Sequence, residues 1–130
     1  MLCELLQGFH LEQTLNVAKA NTSQQIIHRI DAALAHRATP IEVATQDLGQ
    51  SCPLDNSFPS ALVAYIQNQT NFKNAIIATI QAGGDQAGRA AMLGAWLGAQ
   101  LGFQNLPSDW IDSIAAKERI AQALYNLSFS

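Results

Sequence analysis

The sequence predicts an all-α fold, a compact bundle of several helices. Apolar residues recur at the 3.6-residue spacing of a helix along nearly the whole chain, and no run alternates with period two for more than a few positions. Capping residues, Pro and Gly punctuate these runs at helix-like intervals. Since 48% of the 130 residues are apolar, the chain can bury a sizeable core, and we expect one domain over residues 1–130.

The N-terminal part of the chain contains one clear helical pattern, between residues 21 and 36. Its apolar side chains fall on one helix face: Ile26, Ile27, Ile30, Ala33 and Leu34. Asn21, Thr22 or Ser23 is suited to cap this helix. Residues 8–22 are polar and show little periodicity, so we expect this stretch to be partly irregular.

The segment TPIEVATQDLG carries both a start and a stop signal for the next helix. Thr39 is suited to the N-cap, Pro40 to the first helical position, and Glu42 lies three residues after the cap. Gly49 is suited to end the helix. These signals predict a helix over residues 39–49.

Two further helices are predicted before the glycine pair at residues 83 and 84. The polar segment QSCPLDNS, residues 50–57, predicts a loop, and an apolar helix face resumes at Phe58. A fourth helix is predicted from about Asn71 to a C-cap at Gly83.

The segment from about Ala87 to Leu101 predicts a helix with small residues on several sides. Gly94 and Gly98 lie inside it, and a glycine in a helix costs up to ~1 kcal/mol relative to alanine. We therefore expect close packing of neighbouring helices at these positions. A short helical segment after Pro107 and a last amphipathic helix over residues 115–127 complete the bundle.

Charge and composition exclude two classes of partner. The net charge is -3 and the seven Lys and Arg residues are scattered, whereas nucleic-acid binding requires a basic patch. The longest apolar stretch, residues 90–101, is shorter than the ~20 residues of a membrane span. The first residues lack a basic flank and a signal-peptidase pattern, so we expect a cytoplasmic protein with Cys3 and Cys52 as free thiols.

Several segments occur in an order that is typical of one enzyme family. They are a capped helix that ends in glycine, FPSALVAYI, a helix leading into GGD, a small-residue helix with LGAWLGA, and LPSDW. Over residues 39–127 this order resembles the C-terminal part of the ADP-ribosylglycohydrolase family. The resemblance implies an all-α fold and a binuclear magnesium site that hydrolyses the bond between ADP-ribose and an acceptor such as a protein side chain.

The chain departs from the metal-binding motif of that family. In typical members the equivalent of GGDQAG reads Gly-Gly-Asp-Thr-Asp-Thr, and both aspartates and the last threonine help to hold the metals. Here only Asp85 matches, while Gln86, Ala87 and Gly88 occupy the other positions. The family's Asp-Asp-Thr motif has no counterpart in residues 1–38. Mg²⁺, implied by the resemblance, is therefore expected to bind weakly or not at all.

Asp85 has two interpretations, and Arg89 has three. Asp85 either caps the helix that follows Gly83 and Gly84, or it is an inherited metal or substrate ligand. Arg89, one turn later, can pair with Asp85, supply the charge of a lost metal, or bind a phosphate. Gly83, Gly84, Asp85 and Arg89 are accordingly the predicted substrate-binding residues, with Asp85 as the predicted metal ligand.

Other candidate site residues have weaker support. His28 and His36 are eight positions apart on one predicted helix, too far to chelate one ion. Trp96 and Trp110 could stack on an adenine, but tryptophan in a small protein is more often in the core. Asp55 is the one carboxylate that we nominate as a partner of Asp85 in acid–base chemistry.

The sequence is compatible with two functions of different classes. The first is part of an ADP-ribosylglycohydrolase-like enzyme whose remaining half is supplied by a complementary polypeptide. The second is a non-catalytic helical module, a pseudoenzyme that keeps the packing and a pocket for an ADP-ribose-type ligand. Because a partial fold exposes apolar surface, we also expect a homo-oligomer that buries faces of the N-terminal helices.

Overall fold

The computed structural model describes residues 1–128, and the predicted all-α fold is confirmed. No strand occurs in this range, and a short 3-10 helix, Phe103–Asn105, follows the seventh α-helix. The α-helices are α1 Leu2–Leu6, α2 Leu11–Ala20, α3 Gln24–Ala35, α4 Ile41–Leu48, α5 Leu54–Gln67, α6 Phe72–Gln81, α7 Gln86–Leu101, α8 Ser108–Asp112 and α9 Lys117–Ser128.

The core forms around α5 and α7, which pack against each other. α3 and α4 cover α5, while α1 and α6 cover α7. The indole of Trp96 is buried between the rings of Phe58 and Tyr65, each edge-on to it at 5.9 Å between ring centroids. Trp96 is thus a core residue, as its type favours.

A side-chain hydrogen bond also connects the two central helices. The Tyr65 hydroxyl, fully buried on α5, donates a hydrogen bond to the side-chain oxygen of Gln100 on α7. The amide nitrogen of Gln100 in turn donates to the backbone oxygen of Gln69 at 3.1 Å. Burial raises the pKa of Tyr65 to about 12, so its hydroxyl is a donor at neutral pH.

The prediction of an irregular segment at residues 8–22 is wrong, because α2 occupies most of it. The helix begins after His10, whose backbone nitrogen donates to the Gln13 side chain at 3.4 Å. Thr14 and Leu15 are buried against the core. A narrow stripe of buried residues suffices here because tertiary packing stabilises a helix whose own periodicity is weak.

The predicted loop at residues 50–57 is also too long, since α5 begins at Leu54 instead of Phe58. Pro53 occupies the N-cap position. The Ser57 hydroxyl donates to the Pro53 oxygen at 3.3 Å, and the Ser60 hydroxyl donates to the Asn56 oxygen at 2.9 Å. These bonds to the preceding turn let polar residues that usually form loops lie within a helix.

The other boundaries agree with the prediction to within one or two residues. Ser23 and Asn71 are the caps of α3 and α6, as expected, and Gly102 ends α7 with φ +76°. α4 begins one residue later than predicted, with Pro40 at its N-cap position instead of Thr39.

The packing role expected of the two interior glycines of α7 receives little support. A Cβ atom at Gly94 would lie 3.9 Å from the ring of Phe72, which is an ordinary contact, and one at Gly98 would meet nothing within 4 Å. Glycine is required elsewhere, at the turn before α7.

The C-terminal segment, residues 103–127, contributes no buried residue. Its large apolar side chains include Phe103, Ile114, Ile120 and Leu127, which are 44–76% exposed. Cys3 and Cys52 are exposed free thiols, in agreement with the prediction. Within residues 1–128, no helix has the length and apolar character that a membrane span requires.

Candidate functional site

The turn between α6 and α7 is built by two glycines in the left-handed region. Gly83 has φ +72° and Gly84 has φ +64°, values that side-chain-bearing residues rarely adopt. A Cβ atom at Gly84 would overlap the backbone oxygen of Gln50, in the loop after α4. Gly84 is therefore required both by its φ angle and by the close approach of this loop.

Asp85 is the N-cap of α7, which confirms one of its two interpretations. Its Oδ1 accepts a hydrogen bond from the backbone nitrogen of Gly88 at 3.2 Å. A Cβ atom at Gly88 would overlap the same carboxylate. The missing side chain at position 88 therefore allows the carboxylate to fold onto the helix end.

Arg89 is buried, with only 1% of its surface exposed. Its Nη1 donates to the Gln50 oxygen at 3.2 Å, and its Nη2 donates to the Gly83 oxygen, while Nε has no partner among the described residues. Burial lowers the pKa of Arg89, and the charge of Asp85 partly offsets this effect.

The direct ion pair expected between Arg89 and Asp85 does not form. The ion pairs within residues 1–128 do not include one between these two side chains. The guanidinium instead donates to two backbone oxygens, while the Asp85 carboxylate accepts from the Gly88 nitrogen.

Gln50, in the loop that follows α4, connects this loop to the turn before α7 by hydrogen bonds. The sequence did not predict this role. Its backbone oxygen accepts from the Asp85 nitrogen at 2.7 Å as well as from Arg89. Its side-chain nitrogen donates to the Ala82 oxygen at 2.9 Å. No local pattern marks this residue, because its partners lie more than 30 positions away along the chain.

The residues around the turn do not fit the binuclear magnesium centre that the resemblance implies. Mg²⁺ requires several oxygen ligands in near-octahedral geometry. One Asp85 oxygen accepts from Gly88, and the nearby Gln50 and Gly83 oxygens accept from the Arg89 cation. In the part of the chain that the structure describes, no three His, Cys, Asp or Glu side chains form a group that could hold a metal ion.

The nominated acid–base partner, Asp55, is engaged with α3. Its carboxylate accepts from the Gln25 amide at 3.0 Å and lies 3.4 Å from the Arg29 guanidinium. These contacts hold the start of α5 against α3. They give Asp55 a structural role, and the structure shows no contact between it and the turn.

The remaining candidates lie apart from the turn. His36 bonds the Ala32 oxygen at 2.9 Å through Nδ1 and lies 3.6 Å from Asp47 through Nε2. Trp110 is half-buried, edge-on to Phe72 at 6.3 Å, with the Lys73 ammonium 5.6 Å from its ring centre. This aromatic pair lines an apolar cavity of about 580 Å³ between α6 and α8.

Replacing Asp85 tests its role as a cap. We expect Asp85→Ala to lower the free energy of unfolding by ~1 kcal/mol and Asp85→Asn by clearly less, because the amide oxygen still accepts from Gly88. Chemical denaturation measures both. Asn71→Ala, which removes the cap of α6, is the matched control and should resemble Asp85→Ala. Equal losses for the two Asp85 variants would show that its charge matters more than the cap.

Comparison with known proteins extends the resemblance to the whole chain. The family model described as ADP-ribosylglycohydrolase matches residues 1–129, including the N-terminal helices. Crystallin J1A of Tripedalia cystophora is 34% identical over 85 residues, which are 65% of this chain and 26% of that protein. Crystallin J1B of the same organism is 34% identical over 68 residues, 52% of this chain and 21% of that protein.

The chain thus spans about a quarter of the length of these relatives. No solved structure shows significant similarity to it. Because the family match covers all but one residue of the sequence, the chain belongs to the ADP-ribosylglycohydrolase family.

Proposed function

We propose that this chain is a non-hydrolytic member of the family, a helical module that keeps the fold and lacks the metal-dependent reaction. One observation carries the proposal: the Asp85 carboxylate caps α7, and the oxygens beside it are bound by Arg89. Metal-assisted hydrolysis requires a bound cation that activates water and polarises the substrate. The turn offers that cation no set of free oxygen ligands.

The relatives are consistent with a role other than catalysis, since both carry the name crystallin and neither name denotes a hydrolase. The predicted contacts of Gly83, Gly84 and Arg89 with an ADP-ribose-type ligand remain proposals. In this geometry two of the Arg89 nitrogens donate to backbone oxygens. A phosphate at this position would have to displace those bonds, so we expect weak binding of ADP-ribose at the turn.

Calorimetric titration with Mg²⁺ and Mn²⁺ tests the proposal. We expect no binding with a dissociation constant below ~10 μM, because a single carboxylate in a cap holds a hard cation poorly. The same samples should not release ADP-ribose from a mono-ADP-ribosylated protein. Asp85→Asn is the control, and its titration should match that of the wild type. Tight binding that this variant abolishes would refute the proposal.

A second candidate function is one component of a hydrolase completed by a complementary polypeptide. One observation favours it: residues 103–127 expose large apolar side chains and contain no buried residue. Apolar surface of this kind is typical of interaction sites. A complementary chain that restores Mg²⁺-dependent hydrolysis on mixing would establish this candidate over the first.

We also propose that the isolated chain forms a homodimer or a larger assembly. Faces of the N-terminal helices contribute Leu2 and Leu6, which are 41% and 68% exposed, and the C-terminal segment contributes Phe103 and Leu127. Sedimentation at tens of micromolar should detect the assembly. Leu6→Gln and Leu127→Gln test the two surfaces separately, and a wild-type monomer at these concentrations would contradict the prediction.

A further inference from the structure

Two residues that directly follow helix C-caps supply the backbone oxygens that contact the Arg89 guanidinium. α4 ends at its C-cap Gly49, immediately before Gln50, and α6 ends at its C-cap Ala82, immediately before Gly83. The backbone oxygens of Gln50 and Gly83 both accept from Arg89. Because a backbone oxygen accepts hydrogen bonds from a charged donor, these two oxygens can hold a cation without a direct side-chain carboxylate contact.

Arg89 itself lies in the first turn of α7, at the positive end of that helix. A cation at this end is unfavourable, and burial of an arginine adds a desolvation cost. The two carbonyl oxygens and the nearby Asp85 charge compensate for both. The position of the guanidinium is therefore determined by contacts with other segments of the chain. The start of α7 alone would not favour a cation there.

We propose that the Gln50 and Gly83 oxygens, one residue beyond the C-caps of α4 and α6, form an internal cation site whose resident ligand is the guanidinium of Arg89. The site takes a planar cation with two donors directed at two carbonyls. It shares with the proposed function the observation that Arg89 binds these oxygens, but its test measures stability, so its outcome does not depend on whether the chain hydrolyses a substrate.

Chemical rescue tests this site. Arg89→Ala removes the guanidinium and leaves both oxygens without this donor, and methylguanidinium is small enough to replace it. We expect the thermal midpoint of Arg89→Ala to rise by about 3–6 °C at a methylguanidinium concentration ten times its dissociation constant. The wild type, whose site is filled, should not respond.

Two controls separate the site from general effects. Methylurea has a similar shape without charge and should not raise the midpoint. Gly88→Ala displaces the Asp85 carboxylate and retains Arg89, so it should not respond to methylguanidinium. If Arg89→Ala is unfolded alone, recovery of its helical circular dichroism on adding methylguanidinium is the expected result. No rescue, or equal rescue by methylurea or of Gly88→Ala, overturns the proposal.

Discussion

Gly84→Ala should lower the free energy of unfolding by about 3–4 kcal/mol, as measured by chemical denaturation. Two costs add at this position. Its φ of +64° is strained for alanine, by roughly 1–2 kcal/mol. The new Cβ atom would also overlap the Gln50 oxygen, a backbone atom that cannot rotate away. The loop would have to move and would lose its 2.7 Å bond from the Asp85 nitrogen.

Gly83→Ala is the matched control for this change. Gly83 has a similar φ of +72°, but its Cβ would lie 3.7 Å from the nearest atom, the side-chain nitrogen of Gln50. It should therefore show the backbone cost alone, roughly 1–2 kcal/mol. Equal losses at the two positions would mean that the contact with the loop contributes nothing.

Arg89→Met should lower the free energy of unfolding by roughly 3 kcal/mol. Methionine fills part of the volume but donates no hydrogen bond, so the Gly83 oxygen loses the donor that the structure shows for it, and the Gln50 oxygen loses one of two. Removing one partner of a partly buried hydrogen bond costs the desolvation of the group left behind, about 1–3 kcal/mol, and here most of this cost falls on the Gly83 oxygen.

Arg119→Met serves as the surface control, because Arg119 on α9 is exposed. A substitution there should change stability by less than about 0.5 kcal/mol. Thermal and denaturant unfolding of both variants give the comparison. A loss below 1 kcal/mol for Arg89→Met would show that water or other donors satisfy the two oxygens.

Local sequence signals predict the helices whose ends are fixed by capping residues close in the sequence. Ser23 and Asn71 at helix starts, together with Gly102 at a helix end, fix the boundaries through hydrogen bonds or φ angles that involve only neighbouring residues. The same holds for Asp85, whose cap bond reaches only three residues along the chain. The family could also be recognised from the order of such elements, because that order is a property of the chain itself.

α2 and the first turn of α5 required the tertiary structure. The pattern of residues 8–22 is too weak to predict a helix without the core against which Thr14 and Leu15 pack. In α5, the polar residues before Phe58 are compatible with both loop and helix, and their hydroxyl groups bond the turn before them only once the helix exists.

The sequence by itself determined that the chain is all-α, that Asp85 follows two glycines at a helix start, and that this turn lacks the second aspartate and final threonine of typical family members. Only the tertiary structure decided the hydrogen-bond partners of Arg89. Its spacing predicts a pair with Asp85 four residues away, yet its guanidinium binds the oxygens of Gln50 and Gly83. The reason is physical: a buried guanidinium donates to the backbone oxygens within its reach, and the packing of α4 against α6 brings together the residues that follow these two helices.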